Sequence, residues 1–307
     1  MIDETAKKRA GLASIANENG VFSVVAMDQR NTLKKMFKAT GIEPTLADMQ
    51  EAKIEVARHL TPHASAILLD IEVGVGAVLG AKTLAPTCGL LIAAENPDRG
   101  DFHEEPRPTL KPGQDGAWVK TNGGDALKLL VMMHPGRPIG KGEPDLTAET
   151  LELVKTVIAG CKAAGLPSVI ENLIYALPNQ GEISAKEREN LIVESAFLLN
   201  DLQPDLLKLE YPGSPEGCRR LAERLTVPWA VLSAGVAFAE FEKVVRISCE
   251  VGGASGFIAG RSVWKESIGM KGTERTDFLA NVAVPRLQKL NSAVAGIARP
   301  FSEIGAK

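Results

Sequence analysis

Eight short apolar runs, each followed by a longer amphipathic segment, set the limits on what this chain can fold into. They span residues 22–28, 66–70, 89–95, 125–133, 167–174, 205–211, 228–235 and 256–260. Most are apolar at consecutive positions, the pattern of strands buried on both faces and so of a parallel sheet. The intervening segments carry helix signals. Ser184-x-x-Glu187 is a capping box that opens a helix running to about Asn200. Ser214-Pro215 supplies a cap and a first-turn proline before residues 216–225. A further helix starts at Asp145 or Thr147 and ends near Gly165. Eight strands alternating with helices predict an α/β fold of the (β/α)8 TIM-barrel type, with an open doubly wound sheet as the rival. We expect one domain over 1–307, with an N-terminal helix and a closing helix over 275–301 that Pro285 kinks or interrupts. Residues 106–124, rich in Pro, Gly and polar side chains, read as a surface loop; the other reading is a lid over the barrel mouth.

Composition narrows the partners. A formal net charge of −3 argues against nucleic acid or an anionic membrane surface. No apolar run reaches the roughly 18 residues of a membrane span. Residues 1–9 are charged and lack a signal-peptide core. Cys88, Cys161, Cys218 and Cys249 are scattered, which reads as reduced thiols in a cytoplasmic protein. His59 and His63 have metal-compatible spacing but precede the second strand, at the barrel end away from strand C-termini. His103 and His134 are isolated, so a metal-free mechanism is expected. Gly74-x-Gly76-x-x-x-Gly80 misses the dinucleotide fingerprint by one position, and no Walker A sequence is present.

Three of the runs carry a charge in their middle: Lys128, Glu171 and Lys208, each flanked by Leu, Val or Ile. Burying such a charge costs several kcal/mol unless it is paired. Side chains alternate along a strand. Lys208 then shares a face with Leu206 and Glu210, Lys128 with Leu130, and Glu171 with Val169 and Leu173. Three consecutive strands would set Lys, Glu and Lys side by side. Burial and a second nearby cation both disfavour a charged lysine, so one lysine can lower the pKa of the other. A neutral amine attacks a carbonyl to form an imine, and Glu171 can carry the protons that this requires. The plainer alternative is an internal Lys128–Glu171 ion pair, with Lys208 reaching solvent.

Barrel active sites lie at the C-terminal ends of strands. There the chain has Asp28-Gln29-Arg30, then Asp70 with Glu72, and Glu95. Ser233-x-Gly235 and Gly260-Arg261 close the last two strands, where backbone N–H groups and an arginine suit a phosphate. Gln29 and Arg30 suit a second anionic group, or Arg30 makes an ordinary salt bridge to Asp70 or Glu72.

Five ordered segments then resemble a known family: Val25-Ala26-Met27-Asp28-Gln29-Arg30, Ala64-Ser65-Ala66-Ile67-Leu68-Leu69-Asp70, Leu207-Lys208-Leu209-Glu210-Tyr211-Pro212, Leu232-Ser233-Ala234-Gly235-Val236 and Gly260-Arg261-Ser262-Val263-Trp264. They resemble the class I tagatose 1,6-bisphosphate aldolases and, equally, the sulfofructosephosphate aldolases. The resemblance implies a barrel that cleaves a ketose 1-phosphate to dihydroxyacetone phosphate and a three-carbon aldehyde, without metal or organic cofactor. It implies Lys208 as the imine-forming lysine, Glu171 as proton carrier and Lys128 as supporting cation. Asp28 and Gln29 would line the substrate, with Ser233, Gly260 and Arg261 on the dihydroxyacetone phosphate end. The stretch Asn172 to Gly181 is shorter than in the tagatose enzymes, and Gly253-Ala254-Ser255-Gly256-Phe257 is closer to the sulfosugar enzymes. Glu95 is closer to the tagatose branch. The balance tips slightly to the sulfosugar branch. The expected partner is a phosphorylated sugar and the expected assembly a homo-oligomer. A barrel that binds sugar phosphate without turnover is the competing function; a transaldolase or dehydratase is the competing imine chemistry.

Overall fold

The computed structural model describes residues 11–304 apart from Arg99 and Asn179. Eight parallel strands close into a barrel, so the open sheet is excluded. In chain order the strands are β1 (Phe22–Met27), β2 (Ala66–Asp70), β3 (Gly89–Ala93), β4 (Gly100–Phe102), β5 (Glu105–Arg107), β6 (Ala126–Met133), β7 (Ser168–Ile174), β8 (Leu206–Leu209), β9 (Trp229–Leu232) and β10 (Gly256–Ala259). The barrel order is β1-β10-β9-β8-β7-β6-β3-β2, and β4 pairs only with β5 in a separate antiparallel hairpin. Each apolar run therefore became a strand, and all but Ala66–Asp70 are trimmed at their ends.

The alternation holds. Val24, Ala26, Leu68, Leu91, Ala126, Val169, Leu206, Ala230 and Ile258 pack inside the barrel. Leu127, Leu129, Ile170, Leu207 and Leu209 pack outward with the helices. Ile15 and Phe301 join the inner layer, and Phe22 stacks on Phe301 with ring centroids 5.8 Å apart, closing the N-terminal end.

Helix ends follow the caps. Asp145 accepts from the Ala148 N–H before helix Leu146–Ala164, which stops at Gly165 in the left-handed conformation (φ 62°). Ser184 caps helix Ala185–Asn200 through the Glu187 N–H, but Glu187 bonds Gln180 instead of completing the box. Ser214 caps helix Pro215–Arg224. The closing segment is helical as expected, and its regular α-helix is interrupted just before Pro285. A π-turn at Leu279–Ala283 joins Gly272–Phe278 to Val284–Val294, absorbing the missing proline N–H.

The expected N-terminal helix falls largely outside the described residues, the first of which, Gly11–Ser14, form a 3-10 turn. One expectation changes. Residues 106–124 are not one loop. They include the end of the hairpin and the helix Gly116–Thr121, and Leu110 bridges to Glu95. The four cysteines are buried and free. Among the described residues, no helix is long and apolar enough to cross a membrane.

Candidate active site

Lys128 from β6 stands at the centre of a charged cluster inside the C-terminal end of the barrel. Its Nζ lies 2.7 Å from Asp28 Oδ2, 3.0 Å from Glu95 Oε1 and 2.9 Å from Glu171 Oε2. The other Glu171 oxygen, Oε1, lies 2.9 Å from Lys208 Nζ. Lys128 is 1% exposed and Lys208 is 4% exposed. The ion pair Lys128–Glu171 exists, but Lys208 does not reach solvent; one carboxylate bridges both lysines. Register explains the contact: Glu171 pairs directly with Lys208, and both point inward.

Lys128 is not the lysine depressed by a neighbouring cation. Burial pushes the Lys128 ammonium down, but Asp28, Glu171 and Glu95 outweigh it and its pKa is raised. Lys128 is a fixed cation. Burial pushes the Glu171 carboxyl up, yet Lys128 and Lys208 hold it below the usual range. Asp28 behaves alike, with burial overcome chiefly by Lys128 and then Lys208.

A chain of alternating charges runs outward from this cluster. Glu95 Oε1 also accepts from Arg30 Nη2 at 3.0 Å, and its Oε2 accepts from the Leu130 N–H at 3.1 Å. Arg30 pairs with Glu72 at 3.1 Å, and Glu72 with Lys111 at 2.6 Å. The salt-bridge reading of Arg30 therefore holds for Glu72 and not for Asp70. Lys111 and Leu110 tie the segment after the hairpin to this mouth.

The ends of β9 and β10 form a second, glycine-rich group. The Gly260 N–H donates to Ser233 Oγ at 3.3 Å, and Arg261 Nη2 donates to the Ala234 carbonyl at 3.2 Å. Gly235 has φ 84°, and a Cβ there would stand 3.0 Å from the Arg261 guanidinium carbon. Only glycine allows both that turn and that approach. Helix Phe238–Glu250 begins nearby at Ala237, with no side-chain cap on its first N–H groups. Gln29 links the two groups: its amide nitrogen lies 3.6 Å from where a Gly260 Cβ would stand, and its Oε1 is buried without a hydrogen-bond partner.

Lys208, Glu171, Lys128, Asp28, Glu95 and Arg30 are thus brought together, with Gln29 beside them and Ser233, Gly235, Gly260 and Arg261 at the neighbouring strand ends. Asp70 is not with them. It is fully buried, paired with Lys53, and its Oδ2 accepts from the Val73 N–H at 2.7 Å. The chain turns helical straight after β2, and this cap draws the carboxylate away from the mouth. Lys53 was missed, although a lysine beside Ala52, Val56, Ala57 and Leu60 on the buried face of its helix was a legible anomaly. Also missed was a group above β6 and β7, where Glu105 accepts from Arg137 Nε at 2.8 Å and Tyr175 Oη at 3.0 Å. Its residues are scattered through loops, and no spacing marks them.

A family model described as DeoC/LacD family aldolase matches residues 22–266. Tagatose 1,6-diphosphate aldolase 2 of Enterococcus faecalis is 28% identical over 327 residues, covering 97% of this chain and 96% of that protein. Among solved structures, fructose-bisphosphate aldolase from Plasmodium falciparum matches with a TM-score of 0.71 at 16% identity, over 94% of this chain and 95% of that one. An archaeal fructose-1,6-bisphosphate aldolase, with its catalytic lysine covalently bound to the carbinolamine intermediate, matches at 0.61 and 17% identity, over 92% and 97%. The two structural likenesses speak for the barrel fold.

Proposed function

The chain belongs to the DeoC/LacD aldolase family and is a carbon–carbon lyase, and on that premise we propose that it cleaves a ketose 1-phosphate through an imine on Lys208. The observation that carries the reading is the single carboxylate of Glu171 set between two buried lysines, 2.9 Å from each. Lys128 stays charged and keeps Glu171 ionised, so Glu171 can accept a proton from the Lys208 ammonium. The free amine adds to the ketone carbon. Glu171 returns the proton to the carbinolamine hydroxyl, water leaves, and a protonated imine remains. Glu171, ionised again once water has left, takes the proton of the C4 hydroxyl, and the C3–C4 bond breaks. Its electrons flow to the imine, giving an enamine and releasing the aldehyde. Glu171 then gives that proton to C3 of the enamine, and hydrolysis of the resulting imine releases dihydroxyacetone phosphate and restores Lys208.

In this reading Ser233, Gly235, Gly260 and Arg261 receive the 1-phosphate, through backbone N–H groups and the guanidinium. Asp28 and Gln29 line the sugar, and Gln29 Oε1 is a waiting acceptor for a substrate hydroxyl. Arg30 and Glu95 border the far end. The relatives' names favour tagatose 1,6-bisphosphate over a sulfonated ketose 1-phosphate as the first substrate to try.

The test is borohydride reduction in the presence of dihydroxyacetone phosphate, alongside cleavage assays on tagatose 1,6-bisphosphate, fructose 1,6-bisphosphate and 6-deoxy-6-sulfofructose 1-phosphate. A stable adduct on Lys208 and turnover that survives EDTA are expected. No adduct, or an adduct elsewhere, refutes the role of Lys208.

A further inference from the structure

We propose that the buried pair Lys53–Asp70 is a positioning device for the imine chemistry, clamping the backbone on both sides of Asp28 so that its carboxylate meets Lys128. The inference rests on the aldolase reading of Lys208 and Glu171. Lys53 projects from helix Leu46–Leu60 and is fully buried. An ammonium has three donors, and this one uses them all. It donates to the Met27 carbonyl at 2.6 Å, to the Gln29 carbonyl at 3.0 Å and to Asp70 Oδ1. The second Asp70 oxygen is held by the Val73 N–H. The clamp is therefore anchored at both ends.

Met27 and Gln29 are the two neighbours of Asp28 in the chain. With both carbonyls held, the peptide plane before Asp28 and the one after Gln29 are fixed, so the Asp28–Gln29 segment between them is tethered at both ends and the direction of the Asp28 side chain is constrained. Met27 is the last residue of β1 in register with β2, so the ladder gives no such hold at Gln29. From there the order passes outward. Asp28 meets Lys128 at 2.7 Å, Lys128 meets Glu171 at 2.9 Å, and Glu171 meets Lys208 at 2.9 Å. The same clamp orients Gln29, whose amide nitrogen lies toward Gly260 and whose Oε1 is buried without a partner.

Packing alone does not require this pair. Apolar side chains of similar volume often replace a buried ion pair with no loss of stability. They cannot bind the two carbonyls that flank Asp28. Lys53 also adds positive charge close to Asp28 and helps hold its carboxyl ionised. Burial itself pushes the Lys53 ammonium down, with Asp70 opposing.

The test compares wild type with K53M, K53R and the double variant K53M/D70L. Each is measured by thermal melting, borohydride trapping with dihydroxyacetone phosphate, and kcat and KM across pH. The double variant is expected to fold and to lose at least about tenfold in kcat, with KM changed by less than about threefold. Its acid limb is expected to move to higher pH, since Asp28 loses a neighbouring cation. K53R, which keeps charge and donors, recovers part of kcat. A folded double variant with wild-type kcat and an unmoved pH profile overturns the proposal. Failure of every variant to fold overturns it too, because the pair is then a fold element only. Absence of a trapped adduct in wild type instead brings down the Lys208 reading, which the wild-type arm reports by itself.

Discussion

The two ends of the barrel follow opposite rules. The N-terminal end holds a cleft of about 540 Å³, bordered by Ser14, Asn17, Ser23, His63, Ser65 and Asn291. Its polar groups answer one another. Asn291 takes the Ser23 hydroxyl and donates to the His63 carbonyl at 2.8 Å, while Ser65 Oγ donates to the Ile15 carbonyl at 2.8 Å. The C-terminal end instead crowds Lys128, Lys208, Glu171, Asp28 and Glu95 together under burial, with Gln29 Oε1 left unsatisfied. Room and reactivity are separate properties. The roomy N-terminal cleft carries none of the clustered buried charge. The energetic anomaly, charge held where burial is costly, marks the other end.

The hardest blow to this contrast falls at Glu171. Glu171→Gln keeps the shape but leaves no carboxylate between the lysines. We expect kcat to fall by about 10²–10⁴-fold, the usual worth of a positioned proton carrier. A variant within about threefold of wild type would remove Glu171 from the proton path.

Acid stability sharpens the contrast next. Glu171 and Asp28 both have lowered native pKa values. Their pairs therefore stabilise the fold above the unfolded carboxylate range near about 4. That contribution is lost as pH falls through the lower native values. Lys128, raised, contributes below its unfolded value of about 10.4, so the cluster stays intact across neutral pH. Urea midpoints at pH 3 and pH 7 should differ more in wild type than in Glu171→Gln. Equal differences would mean that the cluster does not set the acid limit.

The smallest effect is expected at the N-terminal end. Asn291→Ala strips partners from Ser23 and the His63 carbonyl, costing about 1–3 kcal/mol. Melting temperature should drop while kcat stays within about twofold of wild type, as expected for the barrel face associated with stability. A large loss of activity would give that face a catalytic part and break the comparison.

Much of this was legible because a parallel barrel repeats one local rule. Buried strands show as apolar runs, and the period of two told which of Leu207, Lys208 and Leu209 points inward. Parity failed at Asp70. It shares the inward parity of Ala66 and Leu68, but the strand ends there, and a cap bond with Lys53 decides its direction. The hairpin of β4 and β5 was illegible for another reason: strands of three residues are too short to show a period.

By itself the sequence determined the eight strands of the barrel and which neighbours share a face with Lys128, Glu171 and Lys208, and therefore that these three can project into one interior. Backbone alternation and apolar patterning are local, so one chain is enough to read them. Only the tertiary structure decided that Asp28 and Glu95 reach Lys128, that Glu171 divides its oxygens between two lysines, and that Lys53 grips the strand end beneath Asp28. Those contacts join residues far apart in the chain. Their distances follow from barrel closure and from where helix Leu46–Leu60 docks, which no local period encodes.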